Sequence, residues 1–222
     1  MALPARGGVG VWVVVCAALT ILAAPWALGV PWLAFAFKPA TTLLLILYAS
    51  RRGHDTPVVR RWVLIGLVCS LAGDVALLWP KEGFLPGLVS FLLAHLAYLV
   101  AFTRVQRLAA LRLPFVAYAI VAGGILSLLW PGVPPALRVP VVAYVVCLAS
   151  MAAQAAVVWR AAPAAPGAAV LALGGALFVC SDALLATNRF ALPLPLSSLW
   201  ILATYWAAQW CIATWLQPRT AA

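Results

Sequence analysis

Apolar stretches of about 20 residues follow one another along this chain, separated by short breaks that hold proline, glycine or arginine. At a rise of 1.5 Å per residue, roughly 20 apolar residues cross a bilayer core of about 30 Å. With 67% hydrophobic and 8% charged residues, the 222-residue chain has too little polar surface for a soluble domain. The runs are continuous, not alternating in strands of about 10 residues, which argues against a β-barrel. The expected fold is therefore all-α: a polytopic bundle of eight transmembrane helices forming a single transmembrane domain over residues 1–222. The spans fall at about 9–28, 32–49, 61–79, 84–102, 113–130, 137–158, 167–187 and 196–216. Pro31, the Arg51 to Arg61 loop, Pro80 with Lys81, Arg104 to Arg112, Pro131 through Pro135, Pro163 to Gly167, and Pro193 with Pro195 punctuate them. The first run is read as a retained span instead of a cleaved secretory signal, because its apolar core is about 20 residues long.

Basic residues set the orientation, since Lys and Arg are held on the cytoplasmic side. One face carries Arg6, Arg51, Arg52, Arg60, Arg61, Arg104, Arg107, Arg112, Arg160 and Arg219; the other carries Lys81, Arg138 and Arg189. Both termini are expected in the cytoplasm, in a multi-pass protein of the plasma or inner membrane. The net charge of +10 is then a topology signal with attraction to anionic lipid, and no nucleic-acid partner is expected. Cys16, Cys69, Cys147, Cys180 and Cys211 lie singly inside spans, where they read as packing residues.

Of the four acidic residues, Asp55 and Glu82 sit in polar breaks, whereas Asp74 and Asp182 fall inside apolar runs. A carboxylate at membrane depth costs about 3 kcal/mol on insertion scales, so such a residue marks a working site. Counted from the expected outer ends of spans three and seven, both aspartates lie about 8 Å deep. Lys38 of span two lies about 10 Å deep, within reach of either acid, and His95 of span four about 16 Å deep, with Tyr98 just below it and Tyr205 at comparable depth. One outward-opening pocket would collect them all. Helical spacing supports shared faces: Gly87, Phe91, His95 and Tyr98 form one stripe, Ser70, Gly73, Asp74 and Leu77 a second, and Gly174, Phe178, Ser181, Asp182 and Leu185 a third. The competing structural readings are a packing His or Tyr, a lysine that snorkels outward, and an interhelical aspartate pair. A faint echo between Cys69-Ser70-x-x-Gly73-Asp74 and Cys180-Ser181-Asp182, four spans apart, suggests a parallel duplication.

Taken together, Lys38-Pro39, Ser70-Leu71-Ala72-Gly73-Asp74, Gly87-x-x-x-Phe91-x-x-x-His95-x-x-Tyr98, Gly174-Gly175-Ala176-Leu177-Phe178-x-x-Ser181-Asp182 followed by Asn188-Arg189-Phe190, and Tyr205-x-x-x-Gln209 resemble the YhhN family of lysoplasmalogenases. The resemblance runs over spans two to eight in order. It implies an integral membrane hydrolase that cleaves the vinyl ether bond of a lysoplasmalogen to a fatty aldehyde and glycerophosphoethanolamine or glycerophosphocholine. Asp74, Asp182 and His95 are then the expected catalytic residues. Lys38, Ser70, Tyr98, Ser181, Asn188, Arg189, Tyr205 and Gln209 would support them or bind substrate, with no cofactor and no metal ion.

Vinyl ether hydrolysis needs one acid, to protonate the alkene carbon, and one base, to activate water. Two carboxylates in unlike surroundings can divide those tasks. His95 or Tyr98 would orient water or relay a proton. Ser70 and Ser181 orient carboxylates on this reading, since the chain has no GxSxG elbow. Lys81 and Arg189 would supply positive charge for the substrate phosphate at the outer rim. Two rivals remain. A zinc-dependent lipid hydrolase would need three donors such as histidines, yet the only histidines are His54, in a loop, and His95. A small proton-coupled transporter would use level aspartates but favours broken helices, and spans three and seven hold no proline.

Overall fold

Proline opens two of the helices where its missing N–H costs nothing, because the first turn of a helix leaves its amides unpaired in any case. In the computed structural model, which describes residues 8–79 and 81–218, α2 (Pro31–Ala49) and α3 (Pro57–Ala76) both start this way. Arg6, Pro80 and Arg219, used above for topology and breaks, lie outside the described residues. The remaining helices are α1 (Gly8–Leu22), α4 (Phe84–Thr103), α5 (Arg112–Leu129), α6 (Arg138–Ala161), α7 (Ala168–Phe190) and α8 (Ser197–Trp215), with two 3-10 turns between α5 and α6. Among the described residues there is no strand, only an isolated bridge from Arg52 to Pro218.

The eight expected segments match eight helices, with informative differences at their ends. α1 stops at Leu22 instead of 28, and turns lead on through Pro25, which cannot continue a helix. α3 starts at Pro57 instead of 61, taking in Arg60, whose Nη2 donates to the Ser50 carbonyl at 2.6 Å and closes the α2–α3 connection. It also ends early, at Ala76, whereas α7 runs on to Phe190. Asp74 thus lies about 3 Å from its helix end and Asp182 about 12 Å from its own, unlike the equal distances from the span ends that the span arithmetic gives.

Six helices form a closed ring in the order α2, α3, α4, α6, α7, α8, with α8 returning to α2. α1 packs outside on α2 and α8, and α5 outside on α6 and more lightly on α7. The shared interior is apolar and aromatic, built around Leu45, Leu67, Tyr98, Phe102, Met151, Phe178 and Ile212. The outward faces are apolar too, with Trp12, Val14, Leu113, Ile120, Leu128 and Val139 exposed, the pattern of a surface solvated by lipid. α2, α4, α5, α6 and α7 are long and apolar enough to cross a membrane, and α1 is a shorter apolar helix of 15 residues. This is a multi-pass membrane protein.

Close approach of α3 to α4 depends on glycine. A Cβ at Gly66 would stand 2.2 Å from Cε1 of the fully buried Tyr98, and one at Gly73 would stand 2.6 Å from Cε2 of Phe91. Gly66→Ala is therefore expected to lower stability by about 1–3 kcal/mol, the cost of overpacking. Thermal unfolding in detergent checks this against Gly123→Ala, whose Cβ meets nothing within 4 Å.

Candidate active site

Lys38 and Thr42 lie one turn apart on α2 and so share a face, and that face meets Asp74 of α3. The Lys38 Nζ stands 3.7 Å from Oδ1 of Asp74, and the Thr42 hydroxyl donates to Oδ2 at 2.5 Å. Pro39 interrupts the backbone ladder of α2 beside this contact. From α8, the Tyr205 hydroxyl donates to the same Oδ2 at 2.8 Å. Gln209, one turn further along, donates through Nε2 to the Tyr205 oxygen at 3.3 Å and accepts from the Tyr98 hydroxyl at 2.6 Å. Lys38, Thr42 and Tyr205 each present Asp74 with a donor, the set that a carboxylate accepts. The Asp74 side chain is only 1% exposed.

Asp182 of α7 has a different set. The Tyr144 hydroxyl of α6 donates to its Oδ2 at 2.5 Å. His95 Nε2 of α4 stands 3.0 Å from the Tyr144 oxygen and 3.5 Å from the same Oδ2. With the tyrosine hydrogen committed to Asp182, the Tyr144 oxygen accepts from His95, which places a proton on Nε2. The other ring nitrogen, Nδ1, is buried without a hydrogen-bond partner among the described residues. Phe178 holds the imidazole edge-on, its ring centre 4.9 Å away. The Asp182 side chain is 16% exposed.

Both carboxylates line one cavity of about 300 Å3, together with Lys38, Ser181, Asn188, Arg189 and Tyr205. It sits where α3 and α7 end and α4 and α8 begin, on the side of the α3–α4 and α7–α8 connections. Asp182 also borders a second, apolar cleft.

The lysine that had two acids within reach pairs with Asp74. The sequence expectation of one pocket holding every polar residue is met only in part. His95, Tyr98, Ser70 and Gln209 line neither cavity and are fully buried behind it, His95 against Tyr144, and Tyr98 and Gln209 along the hydrogen-bonded ladder to Asp74, whereas the Ser70 hydroxyl, expected to orient a carboxylate, makes no hydrogen bond to Asp74. Ser181 Oγ donates to the Ile201 carbonyl at 3.0 Å, tying α7 to α8, and Asn188 Oδ1 accepts from the Leu194 amide at 2.9 Å, shaping the α7–α8 connection. Arg189 stacks its guanidinium over the Phe84 ring at 4.8 Å, at the cavity wall. Lys81, expected at the rim, is exposed and does not line the cavity. Two residues were not anticipated, Thr42 and Tyr144. The available signals were the one-turn spacing of Thr42 from Lys38 and the depth of Tyr144, about 10 Å into its span. Among the described residues no three His, Cys, Asp or Glu side chains cluster as a metal-ligand set.

The YhhN family model matches residues 33–216, which takes in every helix except α1. The chain belongs to the YhhN family. Among curated relatives, lysoplasmalogenase TMEM86B of Sus scrofa is 40% identical over 149 residues, 64% of this chain and 58% of that protein. Lysoplasmalogenase TMEM86A of Homo sapiens is 38% identical over 154 residues, 68% of this chain and 63% of that protein. A lysoplasmalogenase of Mycobacterium tuberculosis is 31% identical over 169 residues, 71% of this chain and 60% of that protein. The match therefore spans about three fifths of each relative's own length. No solved structure matches the chain.

The buried Lys38–Asp74 pair yields a stability test. Lys38→Met leaves an uncompensated buried carboxylate and is expected to cost about 3–5 kcal/mol, most of it recovered in the double variant Lys38→Met/Asp74→Asn. Thermal unfolding of the two singles and the double measures the coupling.

Proposed function

We propose that this YhhN protein is a membrane-embedded hydrolase that cleaves the vinyl ether bond of a lysoplasmalogen, releasing a fatty aldehyde and a glycerophospho-alcohol bearing ethanolamine or choline. The observation that carries the reading is that two membrane-depth aspartates with unlike partners border one polar cavity. Family membership and the names of the relatives agree with it.

Asp182 is placed as the acid, because it stands where the polar cavity meets the apolar cleft, as the vinyl ether stands between head group and chain. It gives a proton to the alkene carbon remote from the ether oxygen, and the adjoining carbon and oxygen become an oxocarbenium ion. Asp74, supplied by Lys38, Thr42 and Tyr205 with donors suited to a carboxylate, stabilises that cation and takes a proton from the water that adds to it. The hemiacetal collapses as its hydroxyl proton leaves and the glycerol oxygen is protonated, and the surplus proton returns to Asp182. Tyr144 and His95 position the Asp182 carboxyl and link it to the protein interior. Arg189 with Lys38 provides the charge that attracts the phosphate.

The same proposal includes a single transmembrane unit over residues 1–222, both termini in the cytoplasm and residence in the plasma or inner membrane. The arginines between α2 and α3, between α4 and α5 and at the end of α6 support that orientation, which has the polar cavity open on the opposite side.

Aldehyde release from alkenyl lysophosphatidylethanolamine by the purified protein in detergent tests the reading. Asp74→Asn and Asp182→Asn are each expected to lower kcat about 10²–10⁴-fold, with wild type indifferent to a chelator. Tyr144→Phe is expected to lower kcat about tenfold with KM unchanged, since it removes one positioning hydrogen bond. A folded wild type that releases no aldehyde overturns the assignment.

A further inference from the structure

The cleft next to the polar cavity has a chemistry of its own. Among the described residues, Tyr144 and Asp182 are its only polar lining residues, and every other one is aliphatic or Phe. The two spaces meet along a partition made by Leu77, Phe84, Phe91, Asp182 and Leu185, each of which faces both. A carboxylate therefore stands between a chamber bearing Lys38 and Arg189 and a cleft whose remaining lining, Tyr144 apart, offers hydrocarbon contact. α4 supplies one wall of that cleft through Leu88 and α5 the facing wall through Ile125 and Leu126. Yet α5 leans on α6 and α7 without packing closely on α4, and Leu129 is its only buried residue. The outer helix of the other half, α1, packs on α2 and also reaches α8, the last helix of the opposite run, where Gly10 is set against the Trp210 ring, a contact that α5 does not match on α4.

We infer that this cleft holds the unbranched hydrocarbon chain of a single-chain lysophospholipid, and that the chain arrives from the bilayer through the seam between α4 and α5. The inference rests on the hydrolase reading for the identity of the bond broken, but not for the binding of the chain. A chain that slides sideways from lipid into an apolar cleft never leaves a hydrocarbon environment, so no aqueous exposure opposes its transfer. Its head group is left in the polar chamber, and the bond joining head to chain falls beside Asp182. A cleft of this kind selects for one chain of adequate length, because a short chain leaves much of the apolar wall uncovered.

A non-hydrolysable alkyl lysophosphatidylethanolamine carrying a mid-chain diazirine, irradiated with the full-length protein in nanodiscs, tests where the chain lies. Label is expected on α4, α5 and α6 at the cleft, displaced by unlabelled hexadecyl lysolipid and reduced by Leu126→Trp. The same variant is expected to slow hydrolysis of a hexadecenyl substrate about tenfold by overfilling the cleft, and to spare a hexenyl substrate. Leu128→Trp, on the exposed face of the same helix, is expected to alter neither and controls for folding and insertion. Label confined to lipid-facing surfaces outside the cleft and insensitive to competitor, or equal slowing of both chains by Leu126→Trp, overturns the inference. Competed labelling of the cleft by a wild type that hydrolyses neither substrate retains the chain site and removes the hydrolase reading.

Discussion

A carboxylate at membrane depth has to find its donors inside the protein, because lipid offers none, and the arrangement of this bundle follows from that requirement. Asp74 on α3 is served from α2 and α8, and Asp182 on α7 from α4 and α6. Those six helices are the ones that close the ring. The two helices that give nothing to either aspartate, α1 and α5, are the two packed outside it. Without their acids, α3 and α7 would be apolar helices with no reason to prefer one set of neighbours, since packing alone specifies little between surfaces as apolar as the lipid around them.

The two aspartates are served by one pattern used twice. Each lies on the third helix of a run of four, takes a hydroxyl from the second helix of its own run, and takes a further partner from the last helix of the other run. Thr42 and Tyr205 do this for Asp74, Tyr144 and His95 for Asp182. Gly66 precedes Asp74 by the same interval as Gly174 precedes Asp182, and each glycine lies against the helix that follows. The crossing of donors between halves means that neither aspartate is complete within one run. Where the pattern departs from symmetry, the chemistry differs. Lys38 adds an ammonium group to the Asp74 side alone, and Asp74 borders the polar cavity with its side chain almost wholly buried, whereas Asp182 borders both cavities and is more exposed. Two acids in unlike settings are what a reaction with separate proton donor and acceptor requires.

Much of this was legible in the sequence, for identifiable reasons. Asp74 and Asp182 stood out because an ionisable group in a long apolar run is costly, and Lys38 because its charge needs a partner. The family motifs were readable because they combine rare polar residues in a fixed order. Thr42 and Tyr144 were not, since a threonine in an apolar helix commonly bonds its own backbone, as Thr41 does to the Phe37 carbonyl, and a tyrosine is unremarkable there. Their roles come from which helices meet, which no spacing within one helix reveals. Ser181 and Asn188 carried the opposite ambiguity: their polarity marked them, yet their bonds to the Ile201 carbonyl and the Leu194 amide are structural. The span ends differ from the helix ends at Ala76 and Phe190 because those ends are set by local geometry that hydropathy reads only coarsely.

The central claim is that a protein carboxyl transfers a proton to carbon, and isotope incorporation reads that step directly. Hydrolysis of alkenyl lysophosphatidylethanolamine by the wild type in D2O, with the aldehyde trapped at once and analysed by mass spectrometry, is predicted to place a single deuterium on the carbon next to the carbonyl, at a rate that collapses in Asp182→Asn. Aldehyde formed without deuterium at that carbon, or formed at the wild-type rate by Asp182→Asn, would contradict it.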